Sequence, residues 1–145
     1  EEVVQKAEKL EKDKFFMFLN FNLEIVTPEK TIFTSEVDQV TIPSYEGEMT
    51  ILKDHIALVT FLRPGIIKIG EKDLENFYLD DGIVEFSDNI LLILTTSARN
   101  LKEFSNNEIA ALLKEVNVGL GKSNLSDKEK YILSHKADAL EAIRK

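Results

Sequence analysis

Residues Phe21–Gly70 read FNLEIVTPEKTIFTSEVDQVTIPSYEGEMTILKDHIALVTFLRPGIIKIG, and Phe77–Ala98 read FYLDDGIVEFSDNILLILTTSA. Short apolar runs alternate here with turn residues. Phe21, Leu23 and Ile25 interleave with Asn22 and Glu24, the period-two pattern of a strand with one buried face. Pro28 interrupts that run, because proline has no N–H to give to a ladder. Thr31–Thr34 and Val37–Ile42 supply β-branched runs, the second ended by Pro43 and the turn-forming Ser44-Tyr45-Glu46-Gly47. Further strands are predicted over Met49–Leu52, Ile56–Leu62, Ile66–Ile69, Phe77–Leu79, Ile83–Phe86 and Ile90–Thr96. Asp81-Gly82 reads as a tight hairpin turn. Ile90-Leu91-Leu92-Ile93-Leu94 lacks alternation, which predicts a strand buried on both faces. Closely spaced strands with no helical pattern between them favour a sandwich or barrel over a parallel sheet.

After Asn100 the period changes. Ile109, Leu112, Leu113, Val116 and Leu120 form one helical stripe. Ser105-Asn106-Asn107-Glu108 opens it as a capping box, and Gly119 and Gly121 are expected to end it. Ser126-Asp127-Lys128-Glu129 is a second capping box, followed by the stripe Leu133, Ala137, Leu140. Two capped helices joined by a short loop make an αα-hairpin. The fold class expected is mainly β with an α appendage: an N-terminal antiparallel β-sandwich followed by a C-terminal helical hairpin. Each helix is close to the length at which an isolated helix is marginal in water. Their stripes must therefore pack on each other, on the sandwich, or on another chain.

The formal net charge is −8, and residues 15–100 account for all of it, with 14 acidic and 6 basic side chains. A field of that sign repels phosphate backbones and argues against nucleic acid as a partner. An acidic surface also serves solubility, with no partner required. With no cysteine there is no disulfide, thiolate metal site or cysteine nucleophile. No apolar run approaches the ~18 residues of a membrane span. Residues for chemistry are few: two histidines, His55 and His135, and no P-loop, Rossmann glycine, nucleophile-elbow or His-Glu-x-x-His pattern. Asp80-Asp81-Gly82 and Glu46-Gly47-Glu48 put carboxylates beside glycine, but the spacing of an EF-hand is missing, so the turn reading outweighs a metal reading. No catalytic residue, metal or cofactor is expected.

The order of these segments, with the Glu-Gly-Glu turn, the Leu-Arg-Pro-Gly corner and the Asp-Asp-Gly turn, resembles the epsilon subunit of bacterial F-type ATP synthase, the counterpart of the mitochondrial delta subunit. The resemblance implies a non-catalytic central-stalk (rotor) subunit that links gamma to the c-ring and couples proton flow to ATP synthesis. Its implied place is the cytoplasmic face of the bacterial inner membrane, held peripherally and touching the membrane only through the complex. It implicates Glu46, Gly47, Glu48 and His55 in the rotor interface with the c-ring and gamma. At Asp54, where family members often carry glycine, the loop departs from the family pattern. Some epsilon subunits bind ATP through a motif resembling Ile/Leu-Asp-x-x-Arg-Ala. Here Asn106 stands for the acid and Ile109 for the arginine, so the bidentate phosphate partner is lost. The hairpin is therefore expected to be an ATP-insensitive, weak or absent brake on ATP hydrolysis, its reach toward the alpha/beta head limited by Gly119 and Gly121.

EEVVQKAEKLEKDK at the start is a charged helix former and resembles the C-terminal tail of the ATP synthase beta subunit. Met17 stands where an epsilon chain would begin. The expected organisation is a leader over 1–16, from fusion or read-through, a β-sandwich domain over 17–100 and an αα-hairpin over 101–145. Two other readings compete with the rotor subunit: a small hydrolase or isomerase, disfavoured by the lack of acid–base pairs, and a free-standing acidic β-sandwich binding module.

Overall fold

The computed structural model describes residues 1–70 and 75–144; the side chains of Asp13, Phe15, Phe16, Met17 and Phe18 lie outside the described residues. Helix α1 (Glu2–Leu19) leads into ten strands: β1 (Phe21–Val26), β2 (Thr31–Val37), β3 (Gln39–Ser44), β4 (Gly47–Leu52), β5 (Leu58–Leu62), β6 (Gly65–Ile69), β7 (Glu75–Leu79), β8 (Gly82–Ser87), β9 (Ile90–Leu94) and β10 (Ala98–Asn100). A 3-10 turn (Leu101–Glu103) leads to α2 (Asn106–Leu120) and α3 (Asp127–Ile143). The helix α1 runs across Met17, the expected start of the sandwich domain.

The strands follow the order β10-β7-β6-β3-β5-β8-β9-β1-β2, with β4 on β3. The sheet folds over where β3 meets β5 through one residue pair, Ser44 with Leu62. Near the two ends of that order, Phe33 of β2 and Phe77 of β7 bring their rings to 5.4 Å, so the sandwich is nearly closed. Alternate residues point inward. Leu23, Ile25, Val40, Ile42, Ile51, Ile67, Leu79, Val84, Leu91 and Ile93 are all fully buried in one core. Phe21 and Phe86 meet edge-to-face in it at 5.6 Å, a favoured aromatic geometry.

The mainly β fold with a helical appendage is as the periodicity predicts; several local expectations are not met. The pairing is not wholly antiparallel, since β1 runs parallel to β9. Pro43 does not end its run but sits within β3 opposite Glu48. The Ile90–Leu94 run is not buried on both faces: Leu91 and Ile93 are buried, whereas Ile90 and Leu94 are each nearly half exposed. Asp81-Gly82 makes no hairpin, because β7 pairs with β6 and β10 while β8 pairs with β5 and β9. The glycine serves a close approach instead, as a Cβ there would lie 2.9 Å from the Leu94 carbonyl oxygen. The tight turn falls between β8 and β9, at Asp88 and Asn89, both with positive φ (51° and 58°). This is the dihedral sign a type I′ hairpin needs, and Asp and Asn tolerate it better than most residues.

The hairpin forms as its caps predict, with small differences at the ends. Ser105 and Glu108 make the full capping box. At Ser126 the hydroxyl half is made, accepting from the Glu129 amide at 3.1 Å. Gly119 lies inside α2, and the chain leaves the helix at Gly121. Ile109, Leu113, Val116 and Leu140 join Phe104 in a second core, to which the sandwich contributes Tyr78 from the outer face of β7. Burial, and then the Asp80 carboxylate that accepts its hydroxyl at 2.6 Å, push the Tyr78 phenol far above its usual range.

Candidate interface

The outer face of strands β5, β8, β9 and β1 is largely apolar and, among the described residues, leaves large side chains exposed at Val59, Phe61, Ile83, Ile90 and Leu94. Cross-strand register sets Phe61 beside Ile83, Ile83 beside Leu94, and Leu94 beside Val26, forming one row. The next row on that face runs from Val59 through Glu85 and Leu92 to Glu24. Val59 is 70% exposed and Phe61 59%, values unusual for such side chains in a settled surface. The first row opens into a groove of about 590 Å³ lined also by Pro28 and Tyr45. The sequence hides this face because β5 and β9 carry apolar residues on both sides, and no periodicity says which side has its own cover.

The sequence-predicted interface residues flank this face and do not form one cluster. Tyr45 and Glu46 make the two-residue β3–β4 loop, and Gly47 follows with φ 131°, a value that favours glycine. Glu48 reaches Lys68 at 3.7 Å. His55 lies beyond the other end of β4, which at the strand rise is roughly 17 Å away. Its Nδ1 lies 2.8 Å from the Ile56 carbonyl, and its ring meets Phe86 edge-on. Asp54 does adopt positive φ (64°), the conformation a glycine would supply without strain. The Asp80 and Asp81 carboxylates are committed within the fold, Asp80 to Tyr78 and Lys136, Asp81 to Thr95 and Thr96.

A polar seam holds α3 against the same end of the sandwich. Arg63 Nη1 donates to the Tyr131 hydroxyl at 3.1 Å and lies 3.3 Å from His135 Nε2. Tyr131 in turn donates to the Tyr45 carbonyl and stacks on the Tyr45 ring at 5.6 Å. Lys136 pairs with Asp80 at 3.1 Å. Sequence patterning gives no sign of this seam, whose partners are as much as 86 residues apart.

The profile of the family described as "ATP synthase, Delta/Epsilon chain, beta-sandwich domain" matches residues 20–101. An ATP synthase epsilon chain of Pelagibacter ubique is 45% identical over 125 residues, covering 85% of this chain and 96% of its own length. The chain belongs to the ATP synthase delta/epsilon family. Another epsilon chain, from Hyphomonas neptunium, is 31% identical over 128 residues, covering 87% of this chain and 93% of its own. In fold, this delta/epsilon chain is similar to one in the Euglena gracilis mitochondrial ATP synthase OSCP/F1/c-ring structure (TM-score 0.68, 24% identity, 85% and 80% of the two chains covered). It is also similar to one in the Tetrahymena thermophila mitochondrial ATP synthase central stalk/c-ring structure (TM-score 0.59, 19% identity, 86% and 96% covered).

Within this delta/epsilon chain, the residues standing at the ATP motif have structural roles. Ile109 is buried in the hairpin core, and Asn106 opens α2. Both border a cleft of about 530 Å³ with Lys68, Lys102 and Arg144. Each of those cations has a carboxylate partner: Glu48, Glu75 and Glu141 respectively. Arg99, close to the helix start, is bound to Glu108 at 2.7 Å and lies over the Phe104 ring. These three pairs are long, at 3.5–3.8 Å, and largely exposed, so they weigh only weakly against a phosphate entering the cleft.

Proposed function

We propose that the chain is a non-catalytic rotor subunit of the ATP synthase central stalk, linking gamma to the c-ring and coupling proton flow to ATP synthesis. The observation that carries this reading is the exposed apolar face of β5, β8, β9 and β1 on a chain of the delta/epsilon family. A face bearing Val59 and Phe61 at such exposure is stable in solution only at a cost, which burial against a partner removes. Gamma is the partner proposed for that face. Glu46, Gly47 and Glu48 at one end and His55 at the other border the contact with gamma and the c-ring. Among the described residues no helix is long and apolar enough to cross a membrane. Attachment through those partners would place the chain peripherally on the cytoplasmic face of the bacterial inner membrane.

The same reading makes the sandwich and the hairpin the working parts, with residues 1–16 as a leader. The hairpin acts as a weak or absent brake without ATP control, because buried Ile109 stands where the resemblance puts the motif's arginine. A free-standing acidic binding module remains the alternative. Co-purification from membranes tests between them: recovery of gamma and the c-ring with the tagged chain is expected, and recovery of the chain without any ATP synthase subunit would overturn the proposal.

A further inference from the structure

We propose that the Arg63–His135 contact makes docking of the α2–α3 hairpin on the sandwich a pH-dependent latch, closed while His135 is neutral and weakened when it takes up a proton. The inference concerns the chain by itself and does not rest on the central-stalk reading.

The packing allows such a latch. Sandwich and hairpin have separate apolar cores, and Tyr78 is the sandwich's buried contribution to the hairpin core. Much of the remaining seam is polar: Arg63 to Tyr131 and His135, Tyr131 to Tyr45, and Lys136 to Asp80. The hairpin can therefore move off the sandwich with its own capped helices and stripe largely intact. Separate apolar cores joined by a polar seam favour opening as a unit over piecemeal melting.

The chemistry of the contact sets the direction. A guanidinium can only donate and stays charged at any pH of interest. His135 Nε2, 3.3 Å from Arg63 Nη1, must therefore present its lone pair, with the ring proton on Nδ1. Protonation would turn that acceptor into a donor and set two cations against each other. The other groups at the ring are Tyr131, neutral and edge-on at 4.4 Å, and Asp138 on α3. Tyr45 adds an uncharged ring and a carbonyl, and Lys136 and Asp80 offset each other beside the seam. Desolvation, then Arg63, hold His135 below its ordinary value of 6.5, with Asp138 opposing them. Docking strength should thus be complete above the free histidine's pKa and fall as pH drops from there toward the lower docked value. One proton can change the docking equilibrium by at most about tenfold per pH unit across that window.

The chain has no cysteine, so Glu36→Cys on β2 and Lys128→Cys on α3 place two spin labels uniquely on exposed sites. The labelled full-length chain would be compared at pH 8 and pH 5.5 by double electron–electron resonance, with far-UV circular dichroism to follow helix content. The expected result is a several-fold rise in the separated population at pH 5.5 with helix content retained. In a His135→Gln background, which keeps a neutral acceptor, the two pH values should give the same distribution. An unchanged distribution in the parent chain would overturn the latch, as would an equal acid response in His135→Gln, which would assign the effect to carboxylates. Loss of helix at pH 5.5 would also overturn it, since the hairpin would then be melting and not undocking.

Discussion

Asp54 and Asn89 clasp each other across 35 residues of sequence: the Asp54 amide donates to Asn89 Oδ1 at 2.7 Å, and Asn89 Nδ2 donates to Asp54 Oδ1 at 2.9 Å. Both residues have positive φ, so two left-handed turns support each other and fix the His55 loop against the β8–β9 turn. Asn89→Ala removes both bonds and leaves alanine in a left-handed conformation. We predict a loss of about 1–2 kcal/mol in urea unfolding. A loss below a few tenths of a kcal/mol would mean that the clasp contributes nothing.

Gly82 is held to its size by the Leu94 carbonyl and the Leu62 side chain. Gly82→Ala forces the backbone of β9 or β8 to shift, and we expect destabilisation of about 1–3 kcal/mol. Thermal and urea unfolding at neutral pH measure it. Unchanged stability would show that the strands give way freely at that point.

The two periods, two for the sandwich and 3.6 for the hairpin, were legible because each element has one face in a core. The exposed apolar face was not: the outer positions Val59, Phe61, Ile83 and Leu94 are as apolar as the inner ones, and a pattern without contrast does not say what is covered. The loss of contrast made Ile90–Leu94 read as buried on both sides. Asp81-Gly82 misled for a different reason, since a turn dipeptide is equally at home at a crossover with a tight strand approach. The Arg63–Tyr131–His135 seam had no sequence signal, because it exists only once two separately patterned parts dock.

ATP control of the hairpin should be absent. We predict no heat of binding when ATP is titrated at up to millimolar concentration into the isolated chain, because Ile109, which the resemblance aligns with the motif's arginine, carries no charge and is buried. Removal of residues 101–145 should change ATP hydrolysis by membranes less than several-fold. Saturable millimolar binding, or a several-fold rise on deletion, would contradict this prediction.

Tyr131 joins the seam to both Arg63 and Tyr45. Tyr131→Phe keeps the stacked ring and removes the hydroxyl bonds. The expected outcome is faster amide exchange along the Tyr45 loop and a larger separated population in the spin-label measurement at pH 8, with α2 and α3 still helical. Exchange and distances identical to the parent would show that the ring alone holds the seam.

We propose above that gamma covers the apolar face of β5, β8, β9 and β1. A photo-crosslinking amino acid placed at Phe61 in the assembled enzyme, with a control at exposed Lys30, tests it most directly. A gamma adduct is expected from position 61 and little or none from position 30. Position 61 yielding no adduct with any ATP synthase subunit, while the chain is still found in the complex, would contradict it.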